Sequence, residues 1–401
     1  MKVLSHRRVQ EIAAPTFPRT ILFLISDTGA GHRSAATAIV KGLHLVYEPA
    51  SGVDIRIVDV FAECGRFPLR ETVSLYGPVT QHRPGLYGQI FHMTNSTERF
   101  NAANRLCQPF LRQGLRSLIE RTRPDVIVSV HPLLNHVTLQ MLDDLGLRIP
   151  VITVVTDLVS AHVSWFARGV AACIVPTQAT KNLALANGLP PQRVHVFGMP
   201  LDPTFATRTT STVAERRRAL HLDASLPVVL LVGGGEGACG LADAVQELAR
   251  RRISAQLLVV TGRNRQLFAQ LQRLQPSFHT PTRLLGFVQN MPDLMRASDV
   301  IVTKAGPGTI SEAVACGLPI VLTGALPGQE EGNIDFVLQN GLGALAPTPA
   351  RLTHLLSELL DTSRSQLDQM RERARAISRP RAIFDIARLI VTCASQAAVR
   401  V

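Results

Sequence analysis

Lysine is scarce in this 401-residue chain: Lys2, Lys41, Lys181 and Lys304 are the only four, so arginine carries nearly all of its basicity. The net charge of +12 calls for an acidic partner, whether nucleic acid, an anionic lipid surface or a phosphorylated substrate, unless the arginine simply reflects base composition. Zinc fingers, aromatic–basic strand motifs and basic-region helices are all missing, so no nucleic acid is expected as a partner. Cysteine is sparse too. Cys64, Cys107, Cys173, Cys239, Cys316 and Cys393 lie far apart without paired spacing, which argues against a disulfide framework and a zinc site and fits a reducing compartment. No apolar run reaches the roughly 20 residues of a spanning helix. The longest, from Pro150 to Pro176, is broken by Asp157, His162 and Arg168. Residues Met1 to Thr20 start basic but have neither a contiguous apolar core nor a small-residue cleavage site, and are expected to be a loose tail rather than a secretory signal.

What is present is a repeated rhythm. Apolar residues make up 46% of the chain and charged ones 18%, a globular balance, and the length suits roughly two domains. Short β-branched runs alternate with helical stretches, the signature of parallel sheets buried under helices. Strands are expected at Ile21–Ser26, Asp54–Val58, Asp125–Val130, Val151–Thr156, Ala172–Val175 and Val194–Phe197, then at Val228–Val232, Gln256–Thr261, Arg283–Leu285, Val300–Thr303 and Pro319–Thr323. Between the two sets, Gly198 to Pro203 and the polar stretch Thr207 to Thr212 read as a linker. The fold class is therefore α/β, with two Rossmann-like, doubly wound domains facing across a cleft: a tail at 1–20, domains at 21–205 and 206–380, and a final helical segment at 381–401 that could pack on either domain. Ligand crevices of such sheets lie at the carboxyl ends of their strands.

Three motifs fall there. The first, Ser26 to Ala36, holds Gly29, Gly31 and His32 between a strand and a helix. The glycines allow a tight turn and close backbone approach, and a helix N-terminus would hold the imidazole neutral and able to accept a proton. The alternative is a histidine that merely caps the turn. The second, Gly233-Gly234-Gly235-Glu236-Gly237, implies a backbone pressed against either a phosphate or the opposing domain. The third runs from Thr303 through Lys304, Gly306, Pro307, Gly308, Thr309 and Glu312, and continues at Pro327-Gly328-Gln329-Glu330-Glu331-Gly332-Asn333. Its turn offers helix amides and a hydroxyl to a phosphate, and Glu312 is placed to accept hydrogen bonds from a ribose diol. Gln329, Glu330, Glu331 and Asn333 suit a polyhydroxylated sugar, or the two glutamates favour a helix N-terminus and nothing more.

At these residues the chain resembles the family that contains the plant and bacterial monogalactosyldiacylglycerol synthases, the processive diacylglycerol glucosyltransferases and, more distantly, the peptidoglycan N-acetylglucosaminyltransferase MurG. The likeness runs from about Ile21 to about Gly343, with Ala30 standing where many members carry a third glycine. It implies a GT-B fold with the donor held mainly by the second domain. His32 would be the general base. Gly31, Gly233, Gly234 and Gly235 would lie against the donor, whose diphosphate Gly306, Gly308 and Thr309 would hold. Glu312 would bind the ribose, Phe287 and Val288 the uracil, and Gln329, Glu330, Glu331 and Asn333 the hexose, with Arg263 near the donor. The segment Phe67 to Phe110 matches the family's membrane-facing loop. There Leu86, Tyr87, Ile90 and Phe91 alternate with Arg70, His82, Arg83, His92 and Arg99, a pattern that suits an anionic bilayer or an ordinary half-buried loop. Trp165 matches an acceptor-side tryptophan, and as a lone tryptophan it equally suits a core.

The expected activity is inverting transfer of galactose or glucose from a UDP-sugar to 1,2-diacylglycerol, with no cofactor and no catalytic metal, by an enzyme attached peripherally to the inner face of the cell membrane among anionic lipids. Alternatives are a UDP-sugar transferase with another lipid or soluble acceptor, and a non-transferring UDP-sugar epimerase or binding protein. The sequence does not specify an oligomeric state.

Overall fold

The computed structural model describes residues 18–29, 31–47, 52–207, 210–233, 240–251, 253–362 and 364–398. Ala30, Gly234, Gly235 and nearly all of the expected tail lie outside the described residues.

Two six-stranded parallel sheets form the frame. The first contains β1 (Thr20–Ile25), β2 (Asp54–Asp59), β3 (Val126–Ser129), β4 (Val151–Val154), β5 (Ala172–Val175) and β6 (Val194–Val196), in the order β2-β1-β3-β4-β5-β6. The second contains β7 (Val228–Val232), β8 (Gln256–Val260), β9 (Thr282–Leu285), β10 (Val300–Thr303), β11 (Ile320–Leu322) and β12 (Gly343–Leu345), in the order β12-β11-β10-β7-β8-β9. Eleven of these strands were expected from their β-branched runs. β12 was not, because Gly-Ala-Leu carries no strand signal of its own. Its pairing with β11 defines it: Gly343 lies opposite Ile320, and a Cβ there would fall 1.7 Å from the Ile320 carbonyl oxygen.

Side-chain alternation divides each sheet into two cores. Ile21, Phe23 and Ile25 of β1 face one side, while Leu22 and Leu24 face the other with Leu115 and Ile119 of the long helix Thr97–Thr122. Burying each such aliphatic side chain contributes roughly 1.5–3 kcal/mol. The last helix, Ala382–Ala398, crosses back to the first domain, where Ile383, Ile386 and Ile390 join the face of β1 that also holds Ala35 and Ile39 of helix Gly31–Val46. Gly42 allows a close crossing, since a Cβ at that position would lie 2.8 Å from Ile383 Cγ1 and 3.2 Å from the Ile383 carbonyl oxygen.

Strand order also determines where ligands can sit. In the first sheet the winding reverses between β1 and β3, and in the second between β7 and β10. At each reversal the two following loops separate above and below the sheet, leaving a crevice at the strand ends.

Candidate active site

At the first reversal, the turn after β1 is held by its own polar groups. The Asp27 amide donates to Asp59 Oδ2 at 2.9 Å, Arg33 Nε donates to Asp27 Oδ1 at 2.7 Å, and Gly29 takes φ +80°, a conformation that favours glycine. Helix Gly31–Val46 then begins, with His32 in its first turn. The imidazole lies between elements from two other strand ends, those of β3 and β4. Its Nδ1 is 3.3 Å from the Thr156 hydroxyl beyond β4, and the ring hydrogen-bonds to the Val130 carbonyl beyond β3. It also meets the His131 ring edge-on, with centroids 4.7 Å apart. Desolvation lowers the His32 pKa to about 4 against the opposing pull of Val130 and Asp27, so the ring is unprotonated, with a free lone pair, throughout the neutral pH range. His131 is likewise held well below the usual histidine range, first by burial and then by His32. Its Nε2 lies 3.2 Å from the Thr28 hydroxyl.

A buried polar chain leads from this point to the other domain. Trp165 is fully buried, its ring centroid 6.1 Å from that of His32, and its Nε1 donates to Asp157 Oδ2 at 2.6 Å. The other carboxylate oxygen, Asp157 Oδ1, accepts from Gln329 Nε2 of the second domain at 2.8 Å. Tyr87 donates its hydroxyl to Gln329 Oε1 at 2.7 Å. Burial raises the Asp157 pKa to about 6, and its bonds to Gln329 and Trp165 only partly counter the rise.

Next to Gln329, Glu330 has one carboxylate oxygen on Lys304 Nζ and the other on the Leu326 amide at 2.9 Å. Lys304 follows the second reversal's strand β10 and opens the turn to helix Pro307–Cys316, whose N-cap Gly306 has no side-chain cap. Pro307 has no N–H, and the following amides of Gly308 and Thr309 have no acceptor within their helix. A Cβ at Gly308 would meet nothing within 4 Å, so this helix end faces open space. Burial, followed by the Asp202 charge, raises the Glu312 carboxyl to about 7 one turn further on. Asp202 is itself paired with Lys41 of helix Gly31–Val46 at 2.6 Å. Gly233, after β7, shares a small cavity with Thr303, Lys304 and Thr323.

The remaining expected residues are placed as follows. Arg263 lies over the exposed ring of Phe287, 5.1 Å from its centroid, and Val288 packs against the second domain's core. Gly31 borders open space. Asn333 is buried behind the cleft, with its Nδ2 on the Ala305 carbonyl at 2.8 Å. Glu331 sits at the outer rim, 3.8 Å from His92. On helix Pro84–Thr94, Leu86 and Ile90 face outward with Met93, whereas Tyr87 and Phe91 face inward. Phe91 packs against Gly328.

His131, Asp157 and Lys304 were not among the expected site residues. Each directly follows or closely trails a strand run, a position visible in the sequence, but only strand order shows that the end of β3 lies beside the end of β1.

The two facing parallel sheets, with a cleft at their reversal points, are the GT-B fold. A family model described as monogalactosyldiacylglycerol (MGDG) synthase matches residues 32–201, and one described as glycosyltransferase family 28 C-terminal domain matches residues 228–380. Monogalactosyldiacylglycerol synthase 3 of Arabidopsis thaliana is 36% identical over 379 residues, covering 92% of this chain and 80% of that protein. The Spinacia oleracea synthase is 34% identical over 381 residues, with 93% and 72% covered. The chain belongs to the monogalactosyldiacylglycerol synthase family. Among solved structures, Acinetobacter baumannii MurG aligns with a TM-score of 0.58 at 16% identity, covering 93% of this chain and 99% of that one. UDP-GlcNAc 2-epimerase from Neisseria meningitidis aligns at 0.55 and 15%, with 95% and 100% covered, which shows a shared fold.

Proposed function

We propose that the protein transfers a hexose, galactose in the first instance, from a UDP-sugar to the free hydroxyl of 1,2-diacylglycerol at a membrane surface. The observation that carries this reading is a series of polar contacts across the domain interface: His32 meets Thr156, the adjoining Asp157 accepts from Gln329, and the adjoining Glu330 pairs with Lys304 beside an uncapped helix end. The names of the relatives supply the acceptor and the sugar.

The division of labour follows from charge. As the acceptor hydroxyl attacks the anomeric carbon, its proton goes to the neutral imidazole of His32. The C–O bond to the diphosphate breaks on the opposite face of the sugar, inverting the centre. The departing negative charge is taken up by the Gly308 and Thr309 amides and the helix dipole, with Lys304 nearby, so the reading assigns no step to a metal ion. Glu312 holds the ribose, Phe287 and Val288 flank the uracil, and the loop at Gln329 faces the hexose.

Membrane attachment is assigned to helix Pro84–Thr94. Leu86, Ile90 and Met93 are exposed at spacings of four and three, one apolar stripe, with exposed His82, Arg83 and Arg99 around it. Inserted apolar side chains ringed by cations suit an anionic leaflet, here assigned to the inner face of the cell membrane. No helix among the described residues is long and apolar enough to cross a membrane.

The test is incubation with UDP-galactose and UDP-glucose separately, in anionic vesicles containing diacylglycerol, with mass and anomeric analysis of the lipid. The expected product is a β-linked monohexosyl diacylglycerol. Free epimerised sugar with no lipid product would replace this reading with that of an epimerase.

A further inference from the structure

Gln329 belongs to the donor-side loop, yet both of its polar atoms are bound by the opposite domain. Its carboxamide has two acceptor sites on Oε1 and two donor hydrogens on Nε2. The Tyr87 hydroxyl occupies one acceptor site and the Asp157 carboxylate takes one hydrogen. One lone pair and one N–H remain, and their directions are determined by the two groups already bound. An ionised carboxylate can only accept, so Asp157 also decides which way round the amide lies. The contact around it is close. A Cβ at Gly88 would lie 2.6 Å from Pro327 Cβ, one at Gly328 would lie 2.7 Å from the Phe91 ring, and one at Gly332 would lie 2.4 Å from Ser160 Oγ. The Gly332 amide donates to that same hydroxyl at 3.2 Å. The loop Pro327–Gly332 is thus seated on first-domain side chains along its length.

We propose that Tyr87 and Asp157, both in the acceptor domain, are positioning residues for the donor sugar. By binding and orienting the Gln329 carboxamide they determine the donor–acceptor pattern it offers to the hexose hydroxyls, and so contribute to the choice of sugar. This rests on the reading that the Gln329 loop faces the hexose. It makes sugar recognition a joint property of the two domains, because Tyr87 and Asp157 reach Gln329 across the interface.

Two substitutions separate this role from simple scaffolding. Tyr87→Phe keeps the ring packing and removes the hydroxyl that donates to Gln329 Oε1, leaving the amide held by Asp157 alone. Asp157→Asn keeps an acceptor for Trp165 but turns a donor towards Gln329, and the carboxamide is then satisfied by reversing. The full chain of each variant is titrated calorimetrically with UDP, UDP-galactose and UDP-glucose. Affinity for UDP should stay within about twofold in both, because the diphosphate end is untouched. In Tyr87→Phe the ratio of UDP-hexose to UDP affinity should fall about tenfold, the effect of one disrupted, partly buried hydrogen bond. In Asp157→Asn the galactose-to-glucose preference should shift by a similar factor, since a reversed amide offers a donor where it had an acceptor.

Folded variants that keep the wild-type ratio and preference would overturn the proposal. Should Asp157→Asn fail to fold, the Tyr87→Phe ratio decides alone. A wild-type protein that binds UDP-hexoses with a Tyr87-dependent ratio but glycosylates no lipid would sink the transferase reading and leave the positioning role standing. A wild-type protein that discriminates no hexose from bare UDP would sink both.

Discussion

The two reversal points share a backbone plan and differ in chemistry. Both follow a buried strand, turn on glycine and open a helix into the cleft. At the first, the helix begins with a histidine desolvated among Val130, Thr156 and His131, and the result is a neutral base. At the second, the helix begins with Gly306-Pro307-Gly308, which leaves open space before it and one cation, Lys304, tied to a buried carboxylate. The same strand–turn–helix unit therefore presents a neutral imidazole in one case and free helix amides beside a cation in the other, depending on the side chains placed at its start.

Substitutions should divide along that line. The largest effect is expected for His32→Ala, with kcat falling about 10²- to 10⁴-fold while UDP affinity measured by calorimetry changes less than twofold. Equal losses of both would erase the distinction between the two turns. Lys304→Ala leaves Glu330 buried without its counter-charge and should cost about 3 kcal/mol of unfolding free energy, read by denaturant titration. Gly308→Asp has room for its side chain, so the fold should hold, but a carboxylate at the helix end should weaken UDP binding by about tenfold or more without altering the His32 titration.

A smaller effect sharpens the first half of the comparison. Because His32 has its pKa lowered to about 4 from an ordinary 6.5, the native state binds fewer protons than the unfolded chain between those values. The His32 contribution to stability therefore grows as pH rises through that window and is complete above about 6.5. His32→Ala should unfold with a shallower acid dependence than the wild type between pH 4 and 6.5, and the wild-type His32 ring signals should show no titration near 6.5 by NMR. Asp157 runs the other way. Its carboxyl, raised to about 6, makes stability fall as pH climbs from about 4 to about 6. Smallest is Gly42→Ala, whose added methyl must displace the flexible Ile383 side chain. It should lower stability by about 1 kcal/mol with activity per folded molecule unchanged.

Much of the site was legible because strand ends announce themselves. Val300–Thr303 is a β-branched run that stops at Lys304-Ala-Gly-Pro-Gly, so local chemistry alone marks a turn into a helix. The same reasoning located His32. The helix Pro84–Thr94 shows where it runs out. Leu86, Tyr87, Ile90 and Phe91 read as one apolar group, and only the helix's orientation against Pro327 and Gly328 sends Leu86 and Ile90 outward and Tyr87 and Phe91 inward. Trp165 was open between core and acceptor side, and it is a buried residue that also orients Asp157.

By itself the sequence determined the alternating α/β units, the positions of eleven strands and the glycine turns that end them, because these depend on propensity and patterning within a few residues. The tertiary structure alone decided which strand ends are neighbours, that the final helix completes the first domain, and that a carboxylate at 157 meets an amide at 329. Those outcomes depend on strand order and on contacts between residues more than a hundred positions apart, which no local pattern encodes.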